Sequence, residues 1–255
     1  MKKTILLLPA LLLSGLIYGQ AKSGTITYQH IISLKGLMES ESKDALSESI
    51  AAMLPKEQKT YKVLYFNEDV SLYENKENKE SENQELSQGN IQMQIRRETR
   101  DEKVFTDLKK KQRIEQKELM GRVFLVTDSL RPLKWKFTGR QKRILDHPCM
   151  EAVTTGDDDQ LSAWYTTDIP LSFGPEMFNG LPGMVLEASI GEHLTITATD
   201  IKEAPVAAAV LKVPSKGKKI GGADYKKLAL EKQEELKKQY GGNGNVIIRT
   251  TTISN

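Results

Sequence analysis

The chain is predicted to be mainly β: a single, strongly curved antiparallel sheet, open like a bowl or half-barrel, with two peripheral helices. Three observations predict this. Short β-prone runs follow one another, separated by turn-sized polar or glycine-containing gaps. Helical and strand signals do not alternate, which argues against a parallel sheet with crossover helices. No period of about 20–50 residues repeats, so solenoids and propellers are excluded. At 255 residues the chain can bury one substantial core or two small ones.

Residues 1–21 stand apart. Lys2 and Lys3, the apolar run Ile5 to Ile17 and the small residues Gly19 and Ala21 have the layout of a secretory signal peptide, too short for a membrane span. Cleavage after Gly19 and after Ala21 both fit. No cysteine lies at the junction, so a lipid anchor is disfavoured. The mature chain is expected to be soluble and periplasmic or extracellular, with no span of its own. Loss of the two lysines lowers the formal charge from +3 to +1. That is too near zero for a general nucleic-acid binder, which needs a sustained basic face. Residues 22–212 are expected to form the β domain and 213–255 a charged helical and flexible tail.

The first strand is Gly24 to Ile32, with Ile26, Tyr28 and His30 on one face and His30 expected to be partly solvated. Glu39 to Leu54 carries Leu46, Ile50, Met53 and Leu54 at helical spacing before Pro55 and is predicted as the first helix. Tyr61 to Phe66 and Val70 to Tyr73 read as a hairpin turning at Asn67-Glu68-Asp69. From Glu74 to Gly89 the composition falls to Glu, Asn, Lys, Ser and Gln, expected to be a loop. Strands follow at Ile91–Ile95, Lys103–Leu108, Arg113–Lys117 and Arg122–Thr127, with Lys109 to Lys111 as a solvated turn. Leu133, Trp135 and Phe137 alternate with Lys134 and Lys136, and Gly139-Arg140 is expected to turn the chain toward Ile144. Cys149–Thr154 and Leu161–Thr166 are strands joined by a polar loop holding Asp157, Asp158 and Asp159. Met184–Ile190 and His193–Asp200 flank a Gly191-Glu192 hairpin turn. Asp224 to Gln239 is the second helix, stopped by Gly241-Gly242.

The stretch around which the rest is organised is Phe173 to Glu187. Leu181 precedes a proline and is pushed toward extended backbone. Pro182 presets a turn, and Gly183 is expected to supply the positive φ that a type II turn needs. Gly174-Pro175 makes a second bend just upstream. This Gly180-Leu181-Pro182-Gly183-Met184-Val185 run resembles the signature of the GLPGLI family of exported Bacteroidota proteins, with Leu-Ile replaced by Met184-Val185. Trp135, the Cys149 segment, Ala163 to Thr166, Asp168-Ile169-Pro170 and Gly174-Pro175 extend the resemblance over residues 24–209. The resemblance implies an exported protein working beside outer-membrane uptake components.

Few residues point to catalysis. There is no nucleophile elbow, HExxH or phosphate-cradling loop, and His30, His147 and His193 stand alone. Asp168 and Glu176 lie near the corner and could serve as an acid/base pair in glycoside hydrolysis, a pair that almost any exported chain of this size offers. His147, Cys149 and Met150, joined by Met177 or Met184, form a soft set that copper(I) would accept. The lone Cys149 can make no internal disulfide and is expected to be buried. No cofactor is expected. A curved sheet with an apolar hollow is similar in shape to bacterial periplasmic lipoprotein carriers and to the bowl-like module preceding some secreted glycosidases. Trp135, Trp164, Tyr165, Phe173 and Phe178, with the turn Gly180, Leu181, Pro182 and Gly183, are the candidate lining for an apolar, glycan or protein ligand. The expected function is therefore non-enzymatic binding, with soft-metal handling and an envelope-directed hydrolase as alternatives.

Overall fold

The computed structural model describes residues 23–33, 56–76, 84–88, 91–95, 101–154 and 161–240. They form β1 (Gly24–Ser33), β2 (Glu57–Phe66), β3 (Val70–Asn75), β4 (Gln84–Gln88), β5 (Ile91–Ile95), β6 (Lys103–Asp107), β7 (Gln112–Leu119) and β8 (Arg122–Ser129). These are followed by β9 (Trp135–Ile144), β10 (His147–Thr154), β11 (Leu161–Thr166), β12 (Met184–Ile190), β13 (Leu194–Glu203), β14 (Lys218–Gly221) and α1 (Gly222–Tyr240). Twelve strands make one sheet in the order β14-β8-β7-β6-β3-β2-β1-β13-β12-β11-β10-β9, and β4 and β5 pair separately. The sheet is open, with β14 and β9 at its two edges. Every neighbour is antiparallel except β14, which runs parallel to β8.

Hydrophobic alternation sets the register. Along β1, Ile26, Tyr28 and His30 are buried and the residues between them half-buried, so one face packs on the main core. That core joins Tyr28, Leu64, Phe66 and Tyr73 to Ala163, Tyr165, Leu186 and Ile196. The segment 167–183 closes it with Ile169, Phe173, Phe178 and Leu181. A smaller cluster of Leu72, Phe105, Ile114, Leu125 and Leu211 uses the alternate residues of β3 and β6–β8, hence the opposite face. Three register shifts, at Thr27/Tyr28, Met150/Ala152 and Trp164/Tyr165, bend the sheet locally.

Several expectations change. One helix, α1, is found among the described residues; the other predicted helix, 39–54, lies outside them. Part of the predicted loop, 84–88, is strand β4 paired with β5. Residues 218–221 continue the sheet past residue 212. The predicted Gly139-Arg140 turn is instead a bulge inside β9, where Gly139 has φ +80 opposite the shift at Met150/Ala152. The chain reverses at Leu145-Asp146, both left-handed, between the paired Ile144 and His147. The β12–β13 loop has three residues, Gly191 to His193, and His193 N donates to Ile190 O at 3.1 Å.

Two consecutive left-handed residues define a type I′ turn, which Asn-Gly adopts with less strain than Leu-Asp. The double variant Leu145→Asn, Asp146→Gly is expected to gain about 1 kcal/mol of stability in urea denaturation. No gain, or a loss, contradicts this reading of the turn.

Candidate functional site

Segment 167–183 leaves β11 at Thr166 and returns as β12 at Met184. Its own backbone bonds are few and tight: Leu171 N donates to Ile169 O and Phe173 N to Leu171 O, each at 2.8 Å. Two bonds tie it to β12, from Met184 N to Ile169 O and from Val185 N to Phe173 O, each 2.9 Å. Three glycines allow the fit. A Cβ on Gly183 would stand 2.0 Å from Thr166 O, one on Gly174 2.3 Å from Phe178 O, and one on Gly180 2.6 Å from Pro132 Cβ. The positive φ of this corner belongs to Gly180, at +84, and not to Gly183 as the sequence suggested. Gly183 is needed for the close backbone approach. Leu181 is buried and Pro182 exposed.

The five aromatics proposed as a lining are divided. Phe173, Phe178 and Tyr165 are sealed in the core at 1%, 0% and 3% exposure. Trp135 is half-buried at the rim, stacked on Phe178 with centroids 6.3 Å apart, and its Nε1 donates to Asn179 O at 2.8 Å. Trp164, between Ala163 and Tyr165 on β11, is half-buried and packs against the margin of the main core. There Lys142 Nζ lies 4.3 Å from its ring centroid while bonding Glu187 at 2.6 Å. Arg140, which also approaches Trp164, forks onto the buried Glu151. Three of the five, Phe173, Phe178 and Tyr165, therefore belong to the packed core and do not face an open lining.

Beside this core lies a cluster that the sequence reading missed. Lys62 Nζ contacts Glu176 Oε1 at 2.5 Å and sits 5.5 Å from the Tyr73 ring centroid. His30, buried and not partly solvated as expected, hydrogen-bonds the Tyr73 hydroxyl through Nε2. Tyr28 Oη donates to Val185 O at 2.6 Å. Glu176 holds a left-handed φ of +48, a conformation uncommon for a residue with a Cβ. Burial pushes its carboxyl up, but Lys62 and His30 outweigh burial and hold it down at about 2. Burial, then Lys62, lowers the His30 imidazole to about 3, so it is neutral at ordinary pH. Burial also raises Tyr73 well above its usual range.

Register carries the same face outward. Tyr73 pairs Val104, and Val104 pairs Glu115. Glu115 is flanked by Arg113, 2.8 Å away, and by Lys117. Lys117 also lies 5.9 Å from the ring centroid of Tyr225 on α1. Arg113 Nε and Glu115 Oε2 are buried and ion-paired but make no hydrogen bond among the described residues. Two signals could have marked this face: a lone Lys62 within the apolar Tyr61–Phe66 run, and a histidine on the buried face of β1.

The other candidates lie elsewhere. His147 Nδ1 meets Asp168 Oδ2 at 3.0 Å beside an open groove of about 460 Å³ lined by Leu145, Asp146, His147, Thr199, Asp200, Ile201 and Glu203. Cys149 is 1% exposed and its thiol donates to His147 O. Burial pushes that thiol up to about 11. Met184 is fully buried and Met177 packs on the core. Among the described residues, no three His, Cys, Asp or Glu side chains gather closely enough to hold a metal ion. Asp157 to Asp159 lie outside the described residues. No described helix is long and apolar enough to cross a membrane.

A family model described as "Protein of unknown function (Porph_ging)" matches residues 153–187, from the end of β10 through the corner into β12. No curated protein matches the sequence. Two solved structures of PNGF-II, in different crystal forms, are similar in fold. One aligns at TM-score 0.52 and 17% identity over 83% of this chain, the other at 0.53 and 16% over the same share. The chain spans about a third of the length of those proteins, 34% and 33%. At such identity the likeness is one of fold.

Gly183→Ala drives a methyl group into the Thr166 carbonyl and is expected to cost about 3 kcal/mol or more, or to prevent folding. Pro182→Ala, at an exposed position, should cost less than about 1 kcal/mol. Equal urea midpoints for the two variants would refute the close-approach argument.

Acid sensitivity follows from His30 and Glu176. The folded state resists protonating His30 until about pH 3, whereas the unfolded chain takes up that proton near 6.5. Glu176 stays ionised to about 2 against an ordinary 4.5. In both cases the unfolded chain binds more protons, so stability falls as pH drops. The loss begins near 6.5 through His30 and steepens below 4.5 through Glu176. Denaturant titrations across this range should show His30→Gln flattening the upper part and Glu176→Gln the lower. Profiles parallel to the parent's would exclude these two groups as the cause.

Proposed function

We propose that this chain is an exported, non-enzymatic binding protein that recognises a polar partner, a glycan or a protein, at the ionic face beside the corner. One observation carries the reading: the two parts of the inner face differ in kind. Where segment 167–183 crosses it, the face is filled by Phe173, Phe178, Leu181 and Met184, all at or below 1% exposure. Toward β7 it carries Lys62, Glu176, Arg113, Glu115 and Lys117, whose side chains keep 14–29% exposure. Side chains buried this completely leave no room among them for an acyl chain. Half-buried, mutually paired charges present donors and acceptors that suit hydroxyls and amides.

The alternatives fit less well. A carboxyl held at about 2 is a poor general acid, and Asp168 is engaged with His147, so the pair lacks the divergent environments that acid/base hydrolysis uses. The soft-metal set is dispersed between a histidine facing a carboxylate and a thiol in the core.

Native mass spectrometry of protein purified from the envelope of the cell that makes it should give the bare mature chain, without lipid or metal. Oligosaccharide and peptide arrays should show binding that Lys117→Glu weakens at least about tenfold. A retained acyl lipid, or binding indifferent to Lys117, overturns the assignment. So does turnover of a substrate that disappears in Glu176→Gln.

A further inference from the structure

Among the described residues the sheet has one long unpaired edge: β9 has ten residues and pairs there only with β10, and residues 136–141 are all exposed. From Leu133 to Ile144 the chain holds Lys134, Lys136, Arg140, Lys142 and Arg143 and no acidic residue. Arg140 and Lys142 are occupied by Glu151 and Glu187. Lys134 and Lys136 are exposed, and their side chains have no hydrogen-bonding or ionic partner among the described residues.

The first half of β9 is two-sided. Trp135 and Phe137 share a face, Trp135 on Phe178 and Phe137 6.1 Å from the Tyr165 ring, yet Phe137 remains 58% exposed. Lys134, Lys136 and Thr138 alternate to the other face. The Gly139 bulge ends this stretch, so an added strand would pair with Trp135–Thr138. An exposed strand edge presents unpaired N–H and C=O groups that template another strand. A second copy of this edge is repelled by its own lysines; an acidic strand is attracted by them.

We propose that the β9 edge over Trp135–Thr138 is a docking site for an extended, acidic segment of a partner protein, added as a further strand. The segment alternates acidic with apolar side chains. The acidic ones meet Lys134 and Lys136, and an apolar one covers Phe137. Main-chain hydrogen bonds supply affinity, and the two side-chain sets fix the register. This surface is separate from the ionic face proposed above, and either can fail without the other.

The probes are two synthetic ten-residue peptides, one alternating Glu and Val, the other Lys and Val, followed by fluorescence anisotropy. The Glu-Val peptide should bind and the Lys-Val peptide should not. Lys136→Glu should weaken binding at least about tenfold, and raising salt from about 0.05 M to 0.5 M should weaken it further. Phe137→Ser should weaken it at both salt concentrations. Circular dichroism checks that each variant stays folded. Hydrogen exchange should show new amide protection within Trp135–Thr138 when the Glu-Val peptide is present. No binding of that peptide, equal binding of both peptides, or binding without amide protection each overturns the proposal.

Discussion

The approach of one backbone to another at Gly183 is the constraint on which the molecule depends. With no side chain there, the corner settles onto the Thr166 carbonyl; Gly174 does the same against Phe178. Segment 167–183 can then lie flat on the sheet and place Phe173, Phe178 and Leu181 in the core. Each of these large side chains contributes about 1.5–3 kcal/mol through burial. The same segment brings Asp168 to His147 and Glu176 to Lys62, and its Asn179 carbonyl receives the Trp135 indole. Packing, charge pairing and the orientation of the β9 edge are thus set together by one bend.

The ionic cluster is harder to justify by stability. Buried or half-buried ion pairs give back little more than their desolvation cost, and well-packed apolar side chains often serve as well. Here one partner also sits in an unfavourable left-handed conformation. Backbone strain of this kind persists only where surrounding contacts over-determine it, and it gathers at functional places. Lys62, clamped between the Glu176 carboxylate and the Tyr73 ring, supplies that over-determination. A neutral His30 beneath it keeps a second positive charge away from the lysine.

Much of the architecture was legible in the sequence because period-two alternation is a direct image of a two-faced strand. β1 and the start of β9 were marked this way, β2, β3 and β6 to β8 as short β-prone runs between turn-sized gaps, and the corner through its Gly-Pro and Pro-Gly pairs. What escaped depended on contacts distant along the chain or on unusual turn chemistry. Leu145-Asp146 turns with residues that seldom take left-handed backbone, while Gly139, an obvious turn residue, sits in a bulge. Nothing local joins Lys62 to Glu176, 114 positions away. The aromatics were recognised as important, yet no pattern said that Phe173 and Phe178 would be sealed while Trp164 stayed half-buried under Lys142.

The pairing of β1 with β13 joins Gly24 to Glu203. A ribosome making this chain releases its first strand long before that strand's second neighbour exists. One side of β1 can be occupied by β2 early; the other stays vacant until nearly four-fifths of the polypeptide has emerged. Ring closure over so long a stretch is entropically slow. Strands β2 to β8 and then β9 to β12 are made in turn before β13 arrives to join the two groups at a common seam.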